Sequence, residues 1–190
     1  PKGRTRALLK IEDGCNNFCA YCIIPYARGR VRSLPPELVG HEAAQLKEAG
    51  VHEIVLTGIE IASYGQDLEP KTTLVDLLCW LLARFPDIRF RLGSLDPRVV
   101  DQGFCSRLAA FDNLALHFHL SLQSGCDTVL ARMGRKYTTA QYHNSVQLLR
   151  EVFPDCSVTT DLIVGFPGES ETEFEQSLAF LQQCAFASVH

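Results

Sequence analysis

The strongest constraint on this chain is an alternation of short aliphatic runs with longer amphipathic runs, repeated five times before a sixth short run begins. Strands are predicted over Arg6 to Ile11, Glu53 to Thr57, Ile88 to Ser94, Ala115 to Gln123, Ser157 to Val164, and Phe186 to the end. Helices are predicted over Pro36 to Ala49, Leu74 to Phe85, Arg98 to Phe111, Ala140 to Phe153 and Glu171 to Gln183. Thr72 and Thr73 mark the entry of the second helix, Thr138 and Thr139 that of the fourth, and Ser170 with Glu173 forms a capping box for the fifth. Such an order calls for parallel strands, right-handed crossovers and helices layered on the sheet. With 46% hydrophobic residues in 190, one continuous core can be buried.

Periodicity in the fourth strand separates a doubly wound sheet from a partial barrel. His117, His119, Ser121 and Gln123 project to one face, and Leu116, Phe118, Leu120 and Leu122 to the other. The apolar row belongs under helices. A polar row does not suit the packed interior of a closed eight-stranded barrel but suits an open one with a wet lumen. Lys10, Arg89, Arg91 and Asp161 are expected to face the same space, as ligand contacts or as a polar network that satisfies itself.

The net charge is −4, which does not suggest a nucleic-acid binder. Half of the eighteen Lys and Arg residues nevertheless cluster: Lys2, Arg4 and Arg6; Arg28, Arg30 and Arg32; Arg132, Arg135 and Lys136. Each run fits a solvated face, and Arg28-Gly29-Arg30 also fits phosphate contact. No apolar stretch is long enough to cross a bilayer and the basic start lacks a signal-peptide core, so a soluble cytoplasmic chain is expected. Eight cysteines, three of them between positions 15 and 22, fit metal ligation in a reducing compartment better than disulfides.

Directly after the first strand, IEDGCNNFCAYCIIPYARGR carries Cys-x3-Cys-x2-Cys. Three thiolates on one strand-to-helix loop can converge on an iron–sulfur centre, with Gly14 allowing a sharp turn into it. Three ligands leave one iron of a cubane cluster open. Structural zinc takes four ligands and favours paired knuckles, so a zinc module would need a histidine such as His41. A silent scaffold with packed thiols is the remaining alternative.

The spacing Cys-x3-Cys-x-aromatic-Cys, with Tyr21 in the aromatic place, resembles the radical S-adenosylmethionine signature. GCNNFCAYCIIPYARGRVRS, LTGIEIASYG, RLGSLDP, HFHLSLQSG, RKYTTAQY and TTDLIVGFPGE follow the order found in methylthiotransferases, over nearly the whole chain. The wording is most similar to tRNA enzymes acting on N6-threonylcarbamoyladenosine. Relatives acting on isopentenyladenosine in tRNA, or on an aspartate of a ribosomal protein, share the scaffold.

The resemblance implies an α/β fold, a partial (βα)6 TIM-like barrel with outer helices. It assigns Cys15, Cys19 and Cys22 to three irons of a 4Fe-4S cluster, and S-adenosylmethionine to the fourth. One-electron reduction then yields methionine and a 5′-deoxyadenosyl radical. Thr57 and Gly58 fall where the superfamily carries a Gly-Gly-Glu-like segment facing the cofactor's amino group, although Thr57-Gly58-Ile59 departs from that wording. Ser121 and Gln123 match ribose-binding positions or cap the strand; Ile163, Val164 and Gly165 match the segment beside the adenine; Tyr21 packs on the adenine or anchors the loop. Asp161 stands where many members have glycine, and Gly165, Pro167 and Gly168 also fit a plain turn. Asp96-Pro97 and Tyr64-Gly65 frame a substrate opening or serve as turns, and Cys126 reads as a packing residue near the cavity.

Full-length relatives are expected to have an N-terminal domain with a second cluster and a C-terminal RNA-binding domain. Residues 1–5 accordingly read as a linker remnant and 6–190 as the radical domain, ending within the sixth strand. The implied partners are tRNA and an electron donor such as a flavodoxin or ferredoxin, with a monomer expected.

Overall fold

A computed structural model describes residues 4–190, so Lys2 and the first three residues of the expected linker lie outside the described residues. The chain enters β1 (Arg6–Lys10), then β2 (Glu12–Asp13), α1 (Ile24–Ala27) and β3 (Arg32–Ser33). Next come α2 (Pro36–Glu48), β4 (Glu53–Thr57), α3 (Leu74–Arg84), β5 (Arg89–Leu92), β6 (Ser94–Leu95) and α4 (Gln102–Leu108). β7 (His117–Gln123), α5 (Asp127–Met133), α6 (Thr139–Val152), β8 (Ser157–Leu162), α7 (Glu171–Cys184) and β9 (Ser188–Val189) complete it. The main strands pair in parallel in two groups, β1-β4-β5 and β6-β7-β8-β9, joined by a bridge between Phe90 and Leu114. Strand order follows chain order, the signature of successive right-handed βα units curling into a partial barrel.

The predicted third strand, Ile88 to Ser94, is split. Its first part pairs with β4; at Gly93 the backbone N–H still donates to the Leu56 carbonyl (2.8 Å), after which β6 pairs with β7. Curvature is thus introduced where no side chain obstructs. The helix predicted over Arg98 to Phe111 begins only at Gln102. Asp96 accepts from the Arg98 N–H (3.0 Å) to close a short 3₁₀ turn over Pro97–Val99, and Asp101 then caps α4 by accepting from Phe104 (2.7 Å). Three predicted caps are present: Thr73 with Asp76 on α3, Thr138 with Gln141 on α6, and Ser170 with Glu173 on α7.

β7 alternates as its sequence requires: Phe118, Leu120 and Leu122 are fully buried under the helices. They join Ile54, Leu56, Phe90, Leu78, Leu81, Tyr142, Val146 and Leu149 in one core. The opposite face is the polar lumen, and most of its groups pair with one another, His117 Nδ1 being buried without a partner. Glu53 binds Arg6 (2.6 Å) and Arg91 (3.0 Å), which holds its carboxyl below the usual range, with Arg91's hydrogen bond the leading cause. Thr159 Oγ1 bridges His117 Nε2 (3.1 Å) and His119 Nδ1 (3.0 Å), and His119 Nε2 meets Asp161 (3.0 Å). Lys10, expected at the lumen, pairs with Asp13 (3.2 Å).

Candidate active site at the cysteine loop

The loop between β2 and β3 is clamped at its base by their antiparallel pairing, Glu12 opposite Ser33 and Asp13 opposite Arg32. Gly14 adopts φ +83°, and a Cβ there would run into the Arg30 carbonyl, so the turn requires glycine. Cys15 N–H donates to the Gly29 carbonyl (3.1 Å), Cys22 N–H to the Cys19 carbonyl (2.9 Å), and Ala20 N–H to Met133 at the end of α5 (2.9 Å). Asp13 receives Arg28 through Nε (3.1 Å) and Nη2 (2.6 Å), and this guanidinium holds its carboxyl far below the usual carboxylate range. Arg28 therefore braces the loop, whereas Arg30 is exposed and has no ion-pair partner among the described residues.

Cys15 and Cys19 are buried and Cys22 half-buried. Burial raises the Cys15 thiol pKa, opposed by the Asn17 N–H that reaches its sulfur at 3.4 Å and reinforced by the nearby charges of Glu60, Cys19 and Cys22. Arg135 Nη1 points at Cys19 Sγ from 3.4 Å, and only 8% of its side chain is exposed. Far from belonging to a solvated basic run, Arg135 lies inside, while Arg132 pairs with Glu173 (2.8 Å).

Further charge meets the loop from the segments that follow β4 and β6. Glu60 accepts from Asn17 Nδ2 (3.0 Å) through Oε2; its Oε1 is buried and unpartnered. Burial, with help from Asp96, pushes the Glu60 carboxyl up to about 7, against the pull of Arg135 and Arg98. Asp96, 4% exposed, grips Arg98 through both oxygens (2.8 and 2.9 Å) and stands 3.6 Å from Arg135. Glu60, Tyr64, Thr72, Asp96 and Arg98 help line a cavity of ≈ 370 Å³, placing the Tyr64-Gly65 and Asp96-Pro97 segments at one opening.

The remaining expected cofactor contacts are distributed as follows. Tyr21 lies on the loop with its ring partly exposed, and burial of its hydroxyl raises its pKa. Thr57 ends β4 and its carbonyl accepts from Ile11 (2.9 Å). Gly58 is required by packing, since a Cβ would stand 2.7 Å from Glu12 Oε2 and 2.9 Å from Ile61. Ser121 Oγ bonds Ser94 Oγ (2.8 Å), while Gln123 turns left-handed at φ 73° and its carbonyl accepts from Ile163 (2.9 Å). Gly165 also has a positive φ, 71°, and its N–H donates to Glu169 (2.7 Å), the turn that its sequence context allows. Cys126 is buried against Val129 and Met133, a packing residue.

Among the described residues no three His, Cys, Asp or Glu side chains converge as donors to one metal ion. His41, the fourth ligand that a zinc module would need, lies exposed on α2 bonded to Gln45 (3.1 Å). Three soft thiols on one loop, one of them met by a buried guanidinium, fit a cluster that takes each thiolate on its own iron. They do not fit a single tetrahedral ion, which needs its donors at about 2.0–2.3 Å from one centre. Glu60 and Arg135 were the functional candidates that sequence reading missed. Glu60 sits one residue beyond the segment compared with Gly-Gly-Glu, and Arg135 was grouped with charged neighbours that face water.

The sequence profile of the Radical SAM superfamily matches residues 9–181, and the chain belongs to that superfamily. The chain is 43% identical over 188 residues to threonylcarbamoyladenosine tRNA methylthiotransferase MtaB of Bacillus subtilis (strain 168), covering 98% of this chain and 42% of that protein. It is 40% identical over 186 residues to the tRNA-2-methylthio-N(6)-dimethylallyladenosine synthase of Desulfitobacterium hafniense (strain Y51), again with 98% and 42% coverage. The chain thus spans less than half the length of these relatives. The structure of the radical S-adenosylmethionine methyltransferase TsrM from Kitasatospora setae, with cobalamin and a [4Fe-4S] cluster bound, superposes with a TM-score of 0.78. Identity is 19%, over 96% of this chain and 33% of that one, a likeness of fold.

Proposed function

We propose that Cys15, Cys19 and Cys22 hold a 4Fe-4S cluster and that the chain binds S-adenosylmethionine at the open iron, as the radical-generating part of a tRNA methylthiotransferase. When bound, the cluster supplies the electron that breaks the sulfonium–C5′ bond, giving methionine and a 5′-deoxyadenosyl radical. The chain's own contribution is placement and exclusion of water. The β2-β3 clamp and the Gly14 turn fix the thiols, and Arg135 sets a cation beside Cys19. Glu60 presents a buried oxygen without a partner toward the same region. Tyr21, Thr57, Gly58, Ser121, Gln123, Ile163 and Gly165 lie on loops and strand ends at the carboxyl edge of the sheet, where barrel enzymes gather ligands.

The observation that carries this reading is three thiols on one clamped loop, with a buried guanidinium at one sulfur. The name of the Bacillus subtilis relative supports 2-methylthiolation of N6-threonylcarbamoyladenosine in tRNA, and that of the Desulfitobacterium relative supports the dimethylallyladenosine alternative. No helix among the described residues is long and apolar enough to cross a membrane. The proposed setting is the cytoplasm, with a flavodoxin-like or ferredoxin-like electron donor. The test is formation of 5′-deoxyadenosine by the reconstituted, reduced protein beside Cys19→Ala; equal yields from the two would refute the proposal.

A further inference from the structure

In RKYTTAQY the proposed function uses Arg135 and gives Tyr137, two residues on, no task. Arg135 Nε donates to Tyr137 Oη at 2.9 Å, and the guanidinium lies 4.8 Å from the Tyr137 ring centroid. The Tyr137 hydroxyl lies 2.5 Å from the Ser121 carbonyl and 2.8 Å from that of Leu122, sharing its proton between them at the end of β7. Tyr137 is 5% exposed, so its ring is held by the core on one side and by two strand carbonyls on the other. An arginine has a long, flexible stem, and this one is stacked and bonded so that Nη1 reaches Cys19 Sγ.

We propose that Tyr137 is a positioning residue that holds Arg135 against Cys19 and thereby sets the reduction potential of the cluster ligated there. The inference rests on the cluster reading above. Reduction adds negative charge to a cluster, and a cation or N–H donor at a ligand sulfur favours the reduced form. Moved aside, Arg135 would withdraw both its charge and its hydrogen bond. Asp96, 3.6 Å from Arg135, is already committed to Arg98 through both oxygens, and the Ser121 carbonyl accepts from Arg135 Nη2 at a longer 3.4 Å, so the 2.9 Å bond to Tyr137 is the shortest the guanidinium makes.

The test is a redox titration of the cluster in wild type, Arg135→Gln, Tyr137→Phe and the double variant, with thermal unfolding measured on each. Arg135→Gln is expected to move the midpoint to more negative potential, and Tyr137→Phe to move it the same way by part of that shift. The double variant should go no further than Arg135→Gln, because both substitutions remove one effect. A Tyr137 that only packs would lower the unfolding temperature of Tyr137→Phe and leave the midpoint unmoved, which would overturn the inference, as would additive shifts in the double variant. Should Tyr137→Phe fail to fold, Arg135→Lys decides: it keeps the charge but loses the Nε donor and the planar stack, and its midpoint is expected between wild type and Arg135→Gln. A wild-type midpoint in that variant overturns the inference. Wild-type protein that takes up no four-iron cluster overturns the proposed function itself, and this inference with it.

Discussion

Glu60→Gln should stabilise the protein at pH 8 and scarcely change it near pH 4. Burial raises the folded-state pKa of Glu60 from 4.5 to about 7, so the folded chain binds a proton there more tightly than the unfolded chain does. Stability is therefore lost as pH rises from the unfolded value through the folded one, and the full penalty applies above about 7. At about 1.4 kcal/mol per pKa unit, the shift corresponds to ~3 kcal/mol as an upper figure. Glutamine keeps the acceptor for Asn17 Nδ2 and carries no charge, so it escapes that penalty. Urea unfolding of wild type and variant without metal, at pH 4, 6 and 8, should give a difference that grows with pH toward that figure. A difference that is flat across pH, or largest at pH 4, would refute the argument that Glu60 is held in a poorly solvated place.

Gly14→Ala is expected to cost more than about 2 kcal/mol in urea unfolding, because φ is +83° and the added Cβ meets the Arg30 carbonyl; a loss under half that would contradict the turn geometry. On the proposed tRNA reading, Arg30→Glu in the complete enzyme should weaken tRNA binding and flatten its salt dependence by about one unit of slope, since Arg30 is exposed and unpaired among the described residues. Arg28→Glu should instead lower the unfolding temperature by breaking the brace to Asp13, and an unchanged melting curve would count against that division of labour.

The barrel was legible because its cues are local and repeated. Alternation along β7 and the threonine and serine caps act within a few residues, so Phe118, Leu120 and Leu122 could be assigned to the core from spacing alone. Short elements escaped for the opposite reason. Two residues each of β2 and β3, or the single turn of α1, carry too little period to read, and their pairing joins positions twenty residues apart. α5 was missed although Gly134, at φ 74°, marks its end, because seven residues do not establish a helical repeat.

The site divided along the same line. The cysteines announced themselves by spacing, whereas Arg135 and Glu60 are defined by contacts that cross the sheet, 116 residues apart from Arg135 to Cys19 and 43 from Asn17 to Glu60. In sequence, Arg135 is one basic residue among three; its burial beside Asp96, its contact with Tyr137 and its approach to Cys19, seen in the fold, separate it from Arg132 and Lys136. Gly58 illustrates the reverse case. Expected beside the cofactor, it is required by packing as well, because a Cβ there would meet Glu12 and Ile61.

Metal analysis of protein purified and reconstituted without oxygen bears most directly on the whole account. It predicts about four irons and four labile sulfides per chain, falling steeply in the Cys15→Ala, Cys19→Ala and Cys22→Ala variants. One zinc per chain in place of iron, or iron content indifferent to all three substitutions, would contradict it.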